Sequence, residues 1–334
     1  MNTSLNTSNS NRLSLLRIIN RRVRVFLLAV LFLFVFCGCN VLVHPLTLQH
    51  NQTLPVHPQR VVVLFPILLI DVLALGVTPI AAPKAIAANL LSELQFPQLQ
   101  LQNIKELGNW YPLNIEKILT LKPDLILGIK ISSLQEAYPQ LSHIAPTVLI
   151  DYQRPRDWKK AFSQVANVLG KTEIASRIMA DYYSHLQQLR SSMGSELLKT
   201  QVSVIRVTPQ TITQYKQEVL CGVVLEEVGL SRPFSLTLNK KTNPLMSSPL
   251  FDDLSWELLS KVDADVMFLL RNGAFKSPQT SIPLHELRQQ LLWSKLKVVQ
   301  QHKVYEVGSY WIGAEPMSAL RILDDLEKYF VKRK

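Results

Sequence analysis

Apolar and polar positions divide the chain into blocks of different period. An uninterrupted apolar run extends from Val25 to Phe36. A second begins abruptly after Arg60, where Val61-Val62-Val63-Leu64-Phe65 has the β-branched content of a buried strand. Ile67 to Leu75 then predicts a helix ended by Gly76, a residue that tolerates a left-handed cap, and Val77 to Ala81 predicts the next short strand. Strand, helix and strand at this spacing make a parallel α/β unit. Asp157 to Leu169 places Trp158, Ala161, Phe162, Val165, Ala166 and Leu169 close to helical spacing, with Gly170 as its stop. Thr172 to Met193 is a longer helix with Ile174, Ile178, Tyr182, Leu186 and Leu189 on one side. At 1.5 Å per residue it reaches roughly 33 Å, the height of a domain. No Gly/Ser-rich linker lies near it, so it is read as a rigid strut. Val202 to Val207 opens a second α/β region.

An internal echo supports two related halves. Glu116 lies eight residues before Asp124, which opens the apolar strand Leu125-Ile126-Leu127; Glu257 lies eight before Asp265, which opens Val266-Met267-Phe268. An aromatic stands six residues before each Glu, Trp110 and Phe251. Leu75-Gly76-Val77 with Pro79 echoes Val228-Gly229-Leu230 with Pro233. The expected architecture is α/β: two parallel-sheet lobes, residues 59–171 and 195–334, bridged by a single long rigid helix over 172–194. Residues 39–58, with His44, Pro45, Pro55, His57 and Pro58, read as a tether.

Charge changes the picture at the N-terminus. Residues 1–25 carry Arg12, Arg17, Arg21, Arg22 and Arg24 and no acid. The apolar run behind them is too short for a membrane span of roughly 20 residues. A basic segment before a short apolar one reads as a secretory signal, residues 1–38. The run ends in Phe36-Cys37-Gly38-Cys39, which resembles a bacterial lipobox with Phe36 where Leu is usual. On that resemblance Cys39 is lipidated and becomes the first mature residue; an uncleaved signal-anchor helix is the other reading, and Cys37 lacks a small residue before it. Removing 1–38 lowers the formal charge from +11 to 11 − 5 = +6. The remaining Lys and Arg are scattered without interleaved aromatics, which argues against a nucleic-acid surface. Only Cys221 stays free after lipidation, so no disulfide can form within the mature monomer.

The segment GNWYPLNIEKILTLKPDLILG, Gly108 to Gly128, resembles the signature of periplasmic binding proteins that serve iron–siderophore, haem and cobalamin ABC importers. PQRVVVLFPILLIDVLALGVTPIAA, SHIAPTVLID, VLEEVGLSRP and LSWELLSKVDADVMFLL are similar to the same family in the same order, from about Pro58 onward. The resemblance implies the class III binding-protein fold, a non-enzymatic role, and capture of a ferric siderophore at the extracytoplasmic or periplasmic face for a permease and its ATPase, with no resident cofactor. Haem or cobalamin is the alternative ligand. It also implies that Glu116 and Glu257 dock into arginine pockets on the permease. A carboxylate at a helix start is favoured by the helix dipole and can take a bidentate Arg; without the resemblance each would be an ordinary first-turn Glu.

The resemblance places Trp110, Tyr111 and Lys130 at the ligand. In the second half Arg206, Tyr215, Arg271, Tyr310 and Trp311 stand at or beyond strand ends, where α/β clefts bind. Arg and Lys offer charge-assisted donors to an anionic chelate, and aromatics enclose it. Competing readings stay open: solvated loop charges for Lys130 and Arg271, plain loop packing for Tyr310 and Trp311, and for Arg206, inside an apolar strand, a required partner. Asp71 reads as a helix-surface or cleft-edge carboxylate. Residues Ile86 to Leu101 match nothing and are assigned to the pocket mouth. A zinc or manganese binder is disfavoured because the seven His show no ligand spacing outside the tether group. A hydrolase or transferase is disfavoured because no nucleophile elbow, phosphate loop or HExxH is present.

Overall fold

The computed structural model describes residues 54–331 apart from 85–86, 95, 97–100, 110, 196–198, 234–249 and 272–280. Cys39 and Trp110 lie outside the described residues. The first sheet has the order β3-β2-β1-β4-β5, with β1 Val61–Val63, β2 Ala81–Ala82, β3 Lys105–Glu106, β4 Leu125–Ile129 and β5 Thr147–Ile150. All of its pairings are parallel. The second has the order β10-β9-β6-β7-β8, with β6 Val202–Val207, β7 Ile212–Tyr215, β8 Phe251–Leu254, β9 Val266–Leu270 and β10 Val304–Val307.

Every residue of β1, β4 and β9 is buried, as unbroken apolar runs in α/β sheets should be. The second sheet departs from a purely parallel form: β6 pairs in parallel with β9 but antiparallel with β7, and β7 antiparallel with β8. The cause is local. Thr208 N–H bonds to Thr211 O (2.9 Å) and reverses the chain at Pro209-Gln210 before any helix can form. In the first lobe β1 runs straight into helix α1, Pro66–Ala74, which starts with Pro at a position where no N–H is needed. The strand expected over Val77–Ala81 shrinks to Ala81–Ala82, because Gly76 to Pro79 are spent turning off the helix.

The remaining helices of the first lobe are α2, Ala88–Leu94; α3, Ile115–Thr120; α4, Ser132–Ile144; and α5, Trp158–Val168. The strut is present as α6, Thr172–Met193. In the second lobe come α7, Leu220–Val228; the short α8, Leu284–Leu287, α9, Leu291–Ser294, and α10, Lys297–Gln300; and the C-terminal α11, Pro316–Phe330. Helix α7 ends on Gly229 in the left-handed region (φ +100°), whose N–H bonds back to Leu225 O (3.1 Å), and Gly76 (φ +76°) follows α1 in the same way. Both lobes belong to one unit spanning Leu48–Lys334.

The echo in the sequence is a structural repeat. Asp124 accepts the N–H groups of Gln59 (2.7 Å) and Arg60 (2.9 Å) just ahead of β1. Asp265 accepts the N–H of Gln201 (2.9 Å) just ahead of β6. Arg60 to Asp124 and Gln201 to Asp265 are both separations of 64 residues. Registers agree: Val61 pairs with Leu125 and Val202 with Val266.

Two devices join the lobes along α6. Lys159 of α5 bonds both carboxylate oxygens of Glu227 on α7 (2.7 and 2.8 Å), and Tyr182 of α6 donates to the same carboxylate (2.6 Å). The Lys159 ammonium also stands 5.3, 5.0 and 4.7 Å from the ring centres of Trp158, Tyr182 and Tyr183. Trp158 and Tyr182 are fully buried and meet edge to face at 5.4 Å. α11 is the second device, packing on α6 and α7 as well as on α1, α2 and α5.

Candidate functional site: strand ends and lobe junction

The repeat carries several expected site residues to matching places. Glu116 follows the cap Asn114, whose Oδ1 accepts the Lys117 N–H (2.8 Å). Glu257 follows the cap residue Ser255 at the same remove. Both carboxylates are exposed. A hydrogen bond from the Ser255 side chain, together with the Glu257 backbone N–H, holds the Glu257 carboxyl below the usual range, so it is anionic at neutral pH.

Lys130 and Arg271 also correspond: each is the residue immediately after a fully buried strand, β4 or β9. Lys130 N–H bonds to Ile150 O (2.9 Å) and Arg271 N–H to Val307 O (3.1 Å), which extends each ladder by one residue. Both side chains are exposed. Lys130 adds, after hydrogen bonds from Lys160 and Gln153, to the influences that lower the Asp151 carboxyl. Tyr111 is 61% exposed, an open aromatic surface just ahead of α3.

Arg206 is half-buried near the end of β6, and its Nε has no hydrogen-bond partner. It lies opposite Thr213 in β7, and Tyr215 shares its face of the sheet. Thr213 Oγ1 donates to Asp253 Oδ1 (2.6 Å), which adds a carboxylate to the same face. Burial pushes the Tyr215 hydroxyl up to about 12, and Arg206 opposes that shift. Tyr215 is therefore a neutral donor beside an incompletely satisfied guanidinium. It also lines a cavity of about 480 Å³ with Lys216, Gly222, Ser231 and Arg232.

Tyr310 and Trp311 have a different environment. Tyr310 OH (2.6 Å) and Trp311 Nε1 (2.8 Å) both donate to Asp325 Oδ2 on α11. Trp311 is fully buried with its ring centre 4.1 Å from that of Phe268. The two side chains join the 3-10 turn Ser309–Ile312 to α11. The same turn is held from the first lobe, where Glu93 of α2 accepts Ser309 Oγ (2.7 Å) and Tyr310 N–H (3.3 Å). A Cβ at Gly308 would come within 2.6 Å of that carboxylate, so a glycine is needed for the approach. Glu93 lies in the segment that matched nothing by sequence, and its role could be found only from the folded chain.

Asp71 is not on the surface. It is 1% exposed, and burial followed by the neighbouring Glu315 raises its carboxyl well above the ordinary value. Its helix is covered on all sides because α5 and α11 both pack against α1. Among the described residues no three His, Cys, Asp or Glu side chains group as a metal site, and no helix is long and apolar enough to cross a membrane.

Two α/β lobes with parallel strands, joined by one long helix and carrying cationic residues at corresponding strand ends, define a substrate-binding protein of the two-lobed type. The chain belongs to the periplasmic binding protein family, whose model matches residues 61–310. It is 30% identical over 85% of its length to a probable siderophore-binding lipoprotein of Bacillus subtilis, of which 86% is covered. It is 26% identical over 81% of its length to the achromobactin-binding periplasmic protein of Dickeya dadantii, again covering 86%. Among solved structures, Staphylococcus aureus SirA complexed with staphyloferrin B superposes with a TM-score of 0.64 at 23% identity, over 83% of this chain and 94% of that one; this likeness bears on the fold.

Proposed function

We propose that the chain captures a ferric siderophore between its lobes and delivers it to the permease of an ABC importer, working as an exported monomer held to the membrane by a lipid on Cys39. The observation that carries the ligand is the likeness along most of the chain to a siderophore-binding lipoprotein. The chemistry of the strand ends supports it. Lys130, Arg206 and Arg271 offer charge-assisted donors, Tyr215 a neutral one, and Tyr111 flat apolar surface, which together suit an anionic, oxygen-rich chelate. Tyr310 and Trp311 are left out of this pocket because Asp325 and Phe268 already occupy them. Glu116 and Glu257 are proposed as the permease contacts, being exposed and equivalently capped.

Titration of intrinsic tryptophan fluorescence with hydroxamate, catecholate and citrate-type ferric chelates tests the ligand. At least one should quench with saturation, and Arg206→Met should weaken it by about tenfold or more, or ~1.4 kcal/mol. Saturable quenching by haem or cobalamin alone would transfer the assignment to those ligands. The anchor is tested separately: labelled fatty acid should enter the wild-type chain and not Cys39→Ala, and equal labelling of both would reject it.

A further inference from the structure

Asp71 and Glu315 are two carboxyls from different parts of the chain brought together in the interior. Asp71 belongs to α1 of the first lobe. Glu315 is the N-cap of α11, the helix that also packs on α6 and α7. Their exposures are 1% and 0%. Glu315 spends one oxygen on its own helix, Oε2 accepting the Ser318 N–H at 2.9 Å, while Oε1 has no hydrogen-bond partner. Neither has Asp71 Oδ1, nor the hydroxyl of Tyr152 just beyond β5, which feels both carboxyls.

Among the described residues no cation forms an ion pair with either carboxyl: on α11, Arg321 pairs with Asp324 and Lys328 stands over the Tyr329 ring. On the packed elements Lys159 is engaged by Glu227 and Lys160 by Asp151, and α1 has no charged residue except Asp71. Glu93 of α2 is satisfied by Ser309 and Tyr310, Tyr310 by Asp325, and His185 of α6 by Glu327. On α7, Glu226 pairs with Arg156; Asp157, which acts on Tyr152 more weakly than either carboxyl, is one more negative group. Burial and mutual repulsion both oppose ionisation of the pair. A proton resolves the conflict and turns one acceptor into a donor.

We propose that Asp71 and Glu315 form a proton-binding site at the junction of the two lobes, holding a proton while α1 and α11 are packed and giving it up when they separate. The division within the pair follows from their neighbours. Glu315 is favoured as the anion by the Ser318 and Met317 N–H groups, yet burial still pushes it up to about 7. Asp71 has no such donors and takes the proton first. The packed junction therefore binds more protons than the separated one, and alkaline conditions loosen it.

The test is thermal unfolding of the full-length protein between pH 5 and 8, comparing wild type with Glu315→Gln and Asp71→Asn. A neutral amide at Glu315 keeps the shape and removes the titration. Relative to wild type, E315Q should gain roughly 5 °C as the pH rises across this range. A wild-type-minus-variant difference that stays flat would overturn the proposal. Infrared spectroscopy at pH 6 supplies a readout that does not depend on how well a variant folds. Wild type should show the carbonyl band of a buried protonated carboxyl, reduced in D71N or, if that variant is unfolded, altered in E315Q. Absence of the band from wild type would equally reject the site.

Discussion

Carboxylates in this molecule fall into two kinds, and their pH behaviour should be opposite. Asp265 is met by a backbone donor: the Gln201 N–H, aided by Lys297 at 3.3 Å, holds its carboxyl below the ordinary 3.8. Its contribution is present above that value and is lost as the pH falls through the lowered one. Asp71 and Glu315 are met by apolar burial, and Asp71 also by Glu315, so their cost is absent in acid and grows as the pH rises, for Glu315 up to about 7. Asp265→Asn should therefore destabilise the protein by about 1–2 kcal/mol at pH 7, the sum of one hydrogen bond and a weak surface pair. The gap should close below pH 3. Denaturant unfolding at several pH values checks this, and a gap independent of pH would mean that the carboxylate charge at Asp265 contributes nothing.

At the scale of elements, legibility followed the range of the interactions. The helix Thr172–Met193 and the strand Val202–Val207 lie where the hydrophobic spacing places them, because burial of one helix face or of a whole strand is written directly in residue order. The repeat was legible for a related reason: a helix-cap residue, a first-turn Glu and a strand-opening Asp are local features that recur with their separation intact. What escaped depended on partners distant in sequence. Strands β7 and β8 are short and mixed in polarity, and an antiparallel edge needs only a tight turn such as Thr208–Thr211. Asp71 reads as a surface acid on its own helix, and only the arrival of α11 from the far end of the chain buries it. Glu93 and the Ser309 turn it holds are 216 residues apart. For the candidate site, Lys130, Arg206 and Arg271 were visible as cations at strand ends, whereas the hydrogen bonds of Tyr310 and Trp311 to Asp325 depend on how the following helix folds back over their turn.

For the whole molecule, the repeat gives the proposed docking surface its logic. Glu116 and Glu257 are the second residues of helical turns that begin at Asn114 and Ser255, so each carboxylate lies within the favourable end of a helical turn and points into solvent. The same repeat places Lys130 and Arg271 directly after the adjoining strands, β4 and β9. Both carboxylates are exposed, where salt screens charge over a Debye length of about 8 Å at physiological ionic strength, so a charge change there should act weakly on a chelate held elsewhere. Double reversal, Glu116→Lys with Glu257→Lys, should accordingly abolish uptake of labelled iron in cells while leaving the chelate dissociation constant of the purified protein within about twofold, or ~0.4 kcal/mol. Each single reversal should reduce uptake only in part, since the opposite lobe keeps its contact. Loss of chelate affinity in the double variant would move the two carboxylates into the binding site, and unimpaired uptake would leave the permease contact to be sought elsewhere on the two lobes.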